Sequence, residues 1–296
     1  MDDRSMMLLV NPAAGRSTSA AALGAVIEEF CTADWHPTVY FTNRRATEQV
    51  RDYASGYARV VCLGGDGTLS QSIAGLMELP AGERPPMGYI PMGTANDVAN
   101  TLNLPLRKPA AAARDVVCGQ PMPYDVGRMN GQSFTYVAAF GAFTAASYAT
   151  DQDMKNALGK AAYVLSGFTM LPKIKSYRTR VEFDGGVIED ELIFGAVSNS
   201  TSVAGMIKLD RRVVDLSDGR FEMLLVRTPK NVADLNIIVS GIINQEYNNS
   251  LMTLHQTGHV RFIFEEAVPW TRDGENGGDH QTVEIDNVKN AVTLIV

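Results

Sequence analysis

The chain has 296 residues, 45% of them hydrophobic and 20% charged, with a formal net charge of −7. That acidic balance excludes broad nucleic-acid binding, which needs a basic surface, while the length suffices for two domains. No apolar run approaches the about 20 residues of a spanning helix, and Met1-Asp2-Asp3 opens no signal-peptide pattern; the expectation is a cytoplasmic protein that meets any membrane from the water side.

Taken in order, residues 6–10 (Met-Met-Leu-Leu-Val) make a buried-strand pattern that enters Asn11-Pro12-Ala13-Ala14-Gly15-Arg16. An alanine-rich helix is predicted over 17–30, capped by Ser17 or Thr18. A strand over 38–41 ends at Thr42-Asn43-Arg44-Arg45, and Thr47 caps a helix over 47–57. The strand at 59–63 runs into Gly64-Gly65-Asp66-Gly67-Thr68, followed by a helix over 68–79 and a strand over 87–91. Gly93-Thr94-Ala95-Asn96-Asp97 opens another helix, and a further one covers 109–117. Strands separated by helices predict a doubly wound parallel sheet. Ligands of such sheets sit beyond the carboxyl ends of the strands. The loops at Asn11, Gly64 and Gly93 all follow strands and so share that edge.

After Pro121 the pattern changes. Strands are predicted over 134–140, 180–183, 191–197, 221–226, 260–264, 283–285 and 291–296, with turns at Asp184-Gly185-Gly186 and Asp218-Gly219. Helices are expected only over 154–170 and 232–243. Many strands with few helices predict an antiparallel sandwich or barrel. The chain is therefore expected to divide near Pro123-Tyr124, into 1–123 and 124–296, with the last residues able to pack back on the first domain. Cys31, Cys62 and Cys118 lie in apolar contexts without C-x-x-C spacing, which predicts buried free thiols.

The stretch at Gly64 carries the strongest chemical signal. Glycines let a backbone approach phosphate closely, and the free N–H groups of a following helix favour an anion. A carboxylate inside such a loop points to a magnesium ion between it and the phosphates. The sequence has no G-x-x-x-x-G-K-[ST] loop, so phosphate binding must rest on the glycine loops, helix starts and arginines such as Arg16 and Arg44.

Asn11-Pro12-x-x-Gly15, Gly64-Gly65-Asp66-Gly67-Thr68 and Gly93-Thr94-x-Asn96-Asp97, in this order, resemble the diacylglycerol-kinase-like lipid kinases. These include the bacterial soluble diacylglycerol kinases and, more distantly, sphingosine and ceramide kinases. The resemblance continues through Tyr124-Asp125-Val126-Gly127, Asn130, Leu158-Gly159-Lys160-Ala161-Ala162-Tyr163, Gly205-Met206, Asp218-Gly219-Arg220-Phe221-Glu222 and Asp273-Gly274-Glu275, essentially the whole chain. NAD kinases share the glycine–aspartate loop; the Gly93–Asp97 loop and the late Asp-Gly-Glu point to the lipid branch.

The resemblance implies an α/β nucleotide-binding kinase domain followed by a β-sandwich lipid-acceptor domain. It implies ATP as phosphoryl donor, Mg2+, and a lipid alcohol such as diacylglycerol presented at a membrane surface, with a homodimer among the possible assemblies. The ATP-binding set would be Asn11, Pro12, Ala13, Ala14, Gly15, Arg16, Thr42, Gly64, Gly65, Asp66, Gly67, Thr68, Leu69, Ser70 and Thr94. Asp66 would govern ATP and magnesium placement, and Asp273 would be the general base, supported around the metal by Glu275 and Asp125. Asp218 is similar to the family's structural-magnesium carboxylate, with backbone oxygens of Asp215 and Arg220 as companions; in the family that ion braces a network between domains.

Simpler readings stand beside these. Asp273-Gly274-Glu275 and Asp218-Gly219, taken alone, are ordinary turns, and Asn96-Asp97 is a helix cap. His255 and His259 are interrupted by Gly258 and lack a third ligand. A nucleotide-binding regulatory protein would keep the loops, but it has no need of a base. Between Met154 and Val181 six basic residues (Lys155, Lys160, Lys173, Lys175, Arg178, Arg180) and no acidic ones are interleaved with Leu165, Phe168, Met170 and Leu171, which predicts peripheral contact with anionic head groups. Ala14, where the family usually has serine, and the polar run Asn276-Gly277-Gly278-Asp279 depart from the family pattern and leave the identity of the lipid open.

Overall fold

A computed structural model describes residues 4–12, 14, 19–142, 175–203 and 207–296. The first half is the expected alternation: β1 (Ser5–Val10), α1 (Ser19–Thr32), β2 (His36–Phe41), α2 (Ala46–Tyr53), β3 (Arg59–Gly64), α3 (Asp66–Met77), β4 (Met87–Pro91), α4 (Asp97–Leu102) and α5 (Pro109–Cys118). β4, β3, β1 and β2 lie side by side in that order, all parallel. Successive side chains of a strand point to opposite faces, and both faces are covered. Met6, Leu8, Val10, Val61 and Leu63 pack with Val26 and Phe30 of α1 and Val116 of α5. Met7, Leu9, Val60 and Cys62 pack with Leu69, Ile73 and Leu76 of α3. The sheet is doubly wound.

Local starts differ from the predicted ones for physical reasons. α3 begins at Asp66 because Gly65 is extended and serves as its N-cap, which puts the carboxylate in the first helical turn, where the helix dipole favours it. α2 starts after Arg45, not at Thr47, whose hydroxyl donates to the Gln71 carbonyl at 3.0 Å. Cys62 is buried, but Cys31 and Cys118 are exposed, each lying on a helix side turned away from its core. The predicted helix over 154–170 and the predicted caps of α1 lie outside the described residues.

The second half comprises β5 (Pro121–Met129), β6 (Gln132–Phe134), β7 (Val137–Gly141), β8 (Tyr177–Phe183), β9 (Gly186–Ser198), β10 (Ser202–Val203), β11 (Ile207–Lys208), β12 (Phe221–Arg227), α6 (Val232–Asn244), β13 (Met252–Thr257), β14 (His259–Arg272) and β15 (Glu275–Ile295). The expected division at residue 123 falls inside β5. Two long strands close the antiparallel structure. β9 pairs with β8 through its first half and with β7 through its second, and β14 likewise pairs with β8 and then β7. The circuit encloses an aromatic core in which Phe140 lies 4.9 Å from Phe264 and 5.0 Å from Trp270, ring to ring. The predicted strand over 134–140 is broken at Thr135 and Tyr136, whose N–H groups turn to the Asp273 carboxylate instead of a neighbouring strand.

β15 joins the two halves. The strands predicted at 283–285 and 291–296 are one, irregular between Val288 and Val292 where it runs along β5. Its end, Leu294 and Ile295, pairs in parallel with Met87 and Gly88 of β4. Arg84 donates to the Ala291 carbonyl at 2.7 Å beside this seam. Leu294→Ala should therefore cost about 2–5 kcal/mol, the range for truncating a buried leucine, read as a lower urea midpoint. Val187→Ala, at a side chain 53% exposed, should leave the midpoint nearly unchanged.

Candidate active site

Three loops meet at the carboxyl edge of the parallel strands. Asn11 follows β1 and donates through Nδ2 to Thr68 Oγ1 at 2.8 Å, fixing the first loop against the start of α3. Gly64 and Gly93 are required by space. A Cβ on Gly64 would lie 2.7 Å from Thr68 Cβ, and one on Gly93 would lie 2.8 Å from the Gly65 Cα. The second and third loops thus touch through bare backbone. Asn96 adopts a left-handed conformation and clasps its own loop, accepting from Gly93 N–H at 2.9 Å and donating to the Gly93 carbonyl at 2.8 Å. Thr42 is buried at the end of β2, and Leu69 is buried under α3. Thr94 is exposed at the rim, and Pro12 and Ala14 lie in the first loop; Ala13, Gly15 and Arg16 lie outside the described residues.

Asp273 reaches this edge from the other half. It occupies the tight turn between β14 and β15 with a φ of 49°, and Gly274 follows at 79°; such a turn needs two left-handed residues, which Asp-Gly supplies. Its carboxylate is buried and held by backbone. Oδ2 accepts from Thr135 N–H at 2.6 Å, and Oδ1 accepts from Tyr136 at 2.9 Å and Val137 at 3.1 Å. Burial pushes the Asp273 carboxyl up, against the pull of these N–H groups and of the nearby Ser70 hydroxyl. Glu275 stands two residues on, its Oε1 3.9 Å from where a Cβ on Gly67 would sit. The turn therefore faces the first residues of α3.

Asp66 lies between. Burial and the Asp97 charge raise its carboxyl, while backbone N–H groups of Asp97, Val98 and Asn96 lower it. Asp97 is buried, and that burial raises its carboxyl as well, offset by the Ser202 hydroxyl. Three polar atoms around this point, Asp66 Oδ1, Ser70 Oγ and Tyr89 Oη, are buried without a hydrogen-bond partner. Buried polar groups are ordinarily paired, so unpaired ones beside like charges mark a place built to receive a ligand. An orphaned carboxylate oxygen next to a second carboxylate fits a divalent cation. Among the described residues no group of three or more His, Cys, Asp or Glu side chains forms a preformed metal cage.

Asp125 lies elsewhere. It is fully buried, accepting from Gly219 N–H at 2.7 Å, Asn287 Nδ2 at 3.3 Å and Asn290 N–H at 2.7 Å. It braces the 215–220 segment against β15 and does not join Asp66 and Asp273. In that segment Asp215 Oδ1 accepts from Ser217, and Asp218 Oδ1 accepts from Arg220 N–H at 2.7 Å. Glu222 beside them has one buried, unpartnered oxygen, and its carboxyl is pushed up to about 7 by burial and by the Asp218 and Asp215 charges. A cation there would relieve this repulsion, which fits the implied site. Asp218-Gly219 is not a hairpin turn, since β12, which follows it, pairs with β9 and β13.

Sequence reasoning missed several of these residues. Asp97 passed as a helix cap, although Asn96 makes no cap bond at all and folds onto Gly93. Tyr89 and Tyr136 gave no signal, because in sequence each is one more strand residue, and Tyr124 and Glu222 entered only inside longer motifs, with no role of their own. The basic stretch is also changed by folding. Lys175 pairs with Glu266 at 2.8 Å, Arg178 with Glu265 at 3.3 Å, and Arg180 with Glu182 and Glu189. β9 and β14 bring acids that the local sequence lacks; Lys155, Lys160 and Lys173 lie outside the described residues.

Glycine loops at the edge of a parallel sheet, facing an Asp-Gly-Glu turn whose aspartate is buried, suit a kinase-type phosphotransferase. Residues 5–129 match the family described as the diacylglycerol kinase catalytic domain. The chain is 32% identical over 278 residues to the diacylglycerol kinase of Staphylococcus carnosus, covering 92% of this chain and 88% of that one. It is 29% identical over 274 residues to that of Bacillus subtilis, covering 92% and 89%. A solved Bacillus anthracis structure, provisionally described as a diacylglycerol kinase, superposes with a TM-score of 0.81 at 26% identity, covering 99% of this chain and 95% of that one. The chain belongs to the diacylglycerol kinase family. It is a kinase by descent, and among the described residues no helix is long and apolar enough to cross a membrane.

The crowding of carboxylates has a stability consequence. Because the folded state raises the Asp66 carboxyl, the native protein binds more protons than the unfolded chain as pH rises past the ordinary carboxylate range. Stability then falls with rising pH above about pH 4. Asp66→Asn should raise the urea midpoint at pH 7, with the gain shrinking toward pH 4. A lower midpoint at pH 7 would show that the carboxylate is not under repulsion.

Proposed function

We propose that the protein is an ATP-dependent, magnesium-dependent lipid kinase that phosphorylates the hydroxyl of diacylglycerol or a related lipid alcohol. In this reading residues 1–123 bind nucleotide, residues 124–296 receive the lipid, and the protein works in the cytoplasm, peripherally at the membrane face. The observation that carries it is the Asp273 carboxylate, buried at the meeting point of the phosphate-type loops and of the unpaired Asp66, Ser70 and Tyr89 atoms.

The first loop around Asn11, with Thr42, Gly64–Ser70 and Thr94, would cradle the phosphates of ATP through backbone N–H groups. A carboxylate offers about four lone-pair sites, and three backbone N–H groups occupy three at Asp273. The remaining one, on Oδ2, is where an alcohol O–H would enter. The alcohol oxygen bonds to the γ-phosphorus, the bond from that phosphorus to the bridging oxygen breaks, and ADP leaves with the electron pair. The alcohol proton passes to Asp273, whose raised affinity for protons suits a general base. Magnesium, when bound, neutralises charge on the phosphate oxygens; Asp66 and Asp97, with Glu275 nearby, are the residues that would hold it, and Asp215, Asp218 and the Arg220 carbonyl would hold a second, structural ion.

Transfer of labelled γ-phosphate to a panel of lipids in mixed micelles is the direct measurement. Diacylglycerol or a close relative should be labelled, chelation should abolish labelling, and Asp273→Asn should lower kcat by about 10²–10⁴ with nucleotide binding retained. An active Asn variant, or no labelled lipid, would overturn the reading.

A further inference from the structure

Tyr136 is placed by the same backbone that holds the base. Its N–H donates to Asp273 Oδ1 at 2.9 Å and its carbonyl accepts from Asn199 N–H at 2.9 Å, so the residue is fixed at both ends. The side chain is 6% exposed and packs in the core shared by Tyr89, Tyr124 and Leu69. Its hydroxyl stands over the Asp273–Glu275 turn, 3.6 Å from where a Cβ on Gly274 would be. Among the described residues none is hydrogen-bonded to that hydroxyl, and the charges of four carboxylates act on it.

Burial, then Asp273, Asp66, Asp97 and Glu275, all hold the phenol firmly protonated. A protonated hydroxyl there is a donor open to an incoming acceptor. Ionised carboxylates have no hydrogen-bond proton to offer a phosphoryl oxygen, so a neutral donor among them has a task that they cannot share. We propose that Tyr136 is a further catalytic residue, whose hydroxyl donates a hydrogen bond to a non-bridging oxygen of the transferring phosphoryl group. The bond strengthens as charge develops on that oxygen, which is how a fixed donor lowers a barrier. This rests on the kinase reading above.

The test is Tyr136→Phe, which keeps the ring and removes one oxygen. Expected are a fall in kcat of about a hundredfold, the loss typical of one oxyanion donor, an ATP KM within about twofold, and an unchanged urea midpoint. A second arm uses no lipid. Wild type should bind ADP with magnesium and aluminium fluoride, a mimic of the flying phosphoryl group, more tightly than ADP with magnesium, and the Phe variant should lose that gain. Unchanged kcat with the tightening retained would overturn the proposal, as would a fall in midpoint that accounts for the lost activity. If wild type labels no lipid, the lipid-kinase reading fails, and equal fluoride affinities in the two proteins would then reject Tyr136 separately.

Discussion

One strand sets the distances in this molecule. β15 begins at Glu275, directly after the Asp273–Gly274 turn, and ends at Leu294 and Ile295 against β4. β4 in turn runs beside β3, pairing Ile90 with Leu63 and Pro91 with Gly64, and leads into Gly93. The phosphate-type loops and the buried base therefore hang from one hydrogen-bonded sheet. The same apolar core continues beneath both, from Leu69 and Ile73 of α3 through Tyr89, Tyr124 and Tyr136 to Val292 and Leu294. Because interiors are packed as densely as organic crystals, a displacement at the seam must reach the site.

Against that rigid frame the site concentrates features that do not favour folding. Asp66 and Asp97 face each other while partly desolvated, and Asp273 is buried without a cationic partner. Burying a charge is costly unless it is hydrogen-bonded. Asp273 is held by three backbone N–H groups, freed because the strand breaks at Thr135 and Tyr136. Asp66 has the N–H groups at the start of α4, yet one oxygen stays unpaired. The difference is informative: both oxygens of the proposed base are anchored by N–H groups, whereas the group proposed to face metal and phosphate has one oxygen with no partner.

The parallel half was legible because its signals are local. β-branched and apolar runs alternate with helix-forming stretches, and each glycine loop announces the end of a strand. Boundaries slipped where a side chain found a distant partner: Thr47 bonds Gln71 across two helices rather than capping its own. The antiparallel half was legible only as many strands, since the lengths of β9, β14 and β15 depend on neighbours far away in sequence. Glu189, Glu265 and Glu266 illustrate the limit. They answer Arg180, Arg178 and Lys175 across the sheet, so the described end of a stretch that is purely basic along the chain is paired in space. Tyr136 was invisible for the same reason, because its value comes from facing carboxylates contributed by three separate segments.

Asp125 shows how position can matter without presence at the site. Its carboxylate fastens Gly219 of the 215–220 segment to Asn287 and Asn290 of β15, at the irregularity of that strand. Its carbonyl accepts from Asn199 Nδ2 at 2.8 Å. The preceding residue, Tyr124, donates to the Thr135 carbonyl at 2.9 Å, and Thr135 N–H holds Asp273 Oδ2 at 2.6 Å. A continuous run of short contacts thus leads from the acidic 215–220 segment to the buried base. A buried network of this kind rigidifies when every member is satisfied and is costly when one is not. The unpaired oxygen of Glu222 sits at its outer end and that of Asp66 near its inner end. Charge placed beside either would settle a member of a structure that already fixes Asp273, which is how the two proposed cation sites would both bear on the proposed base.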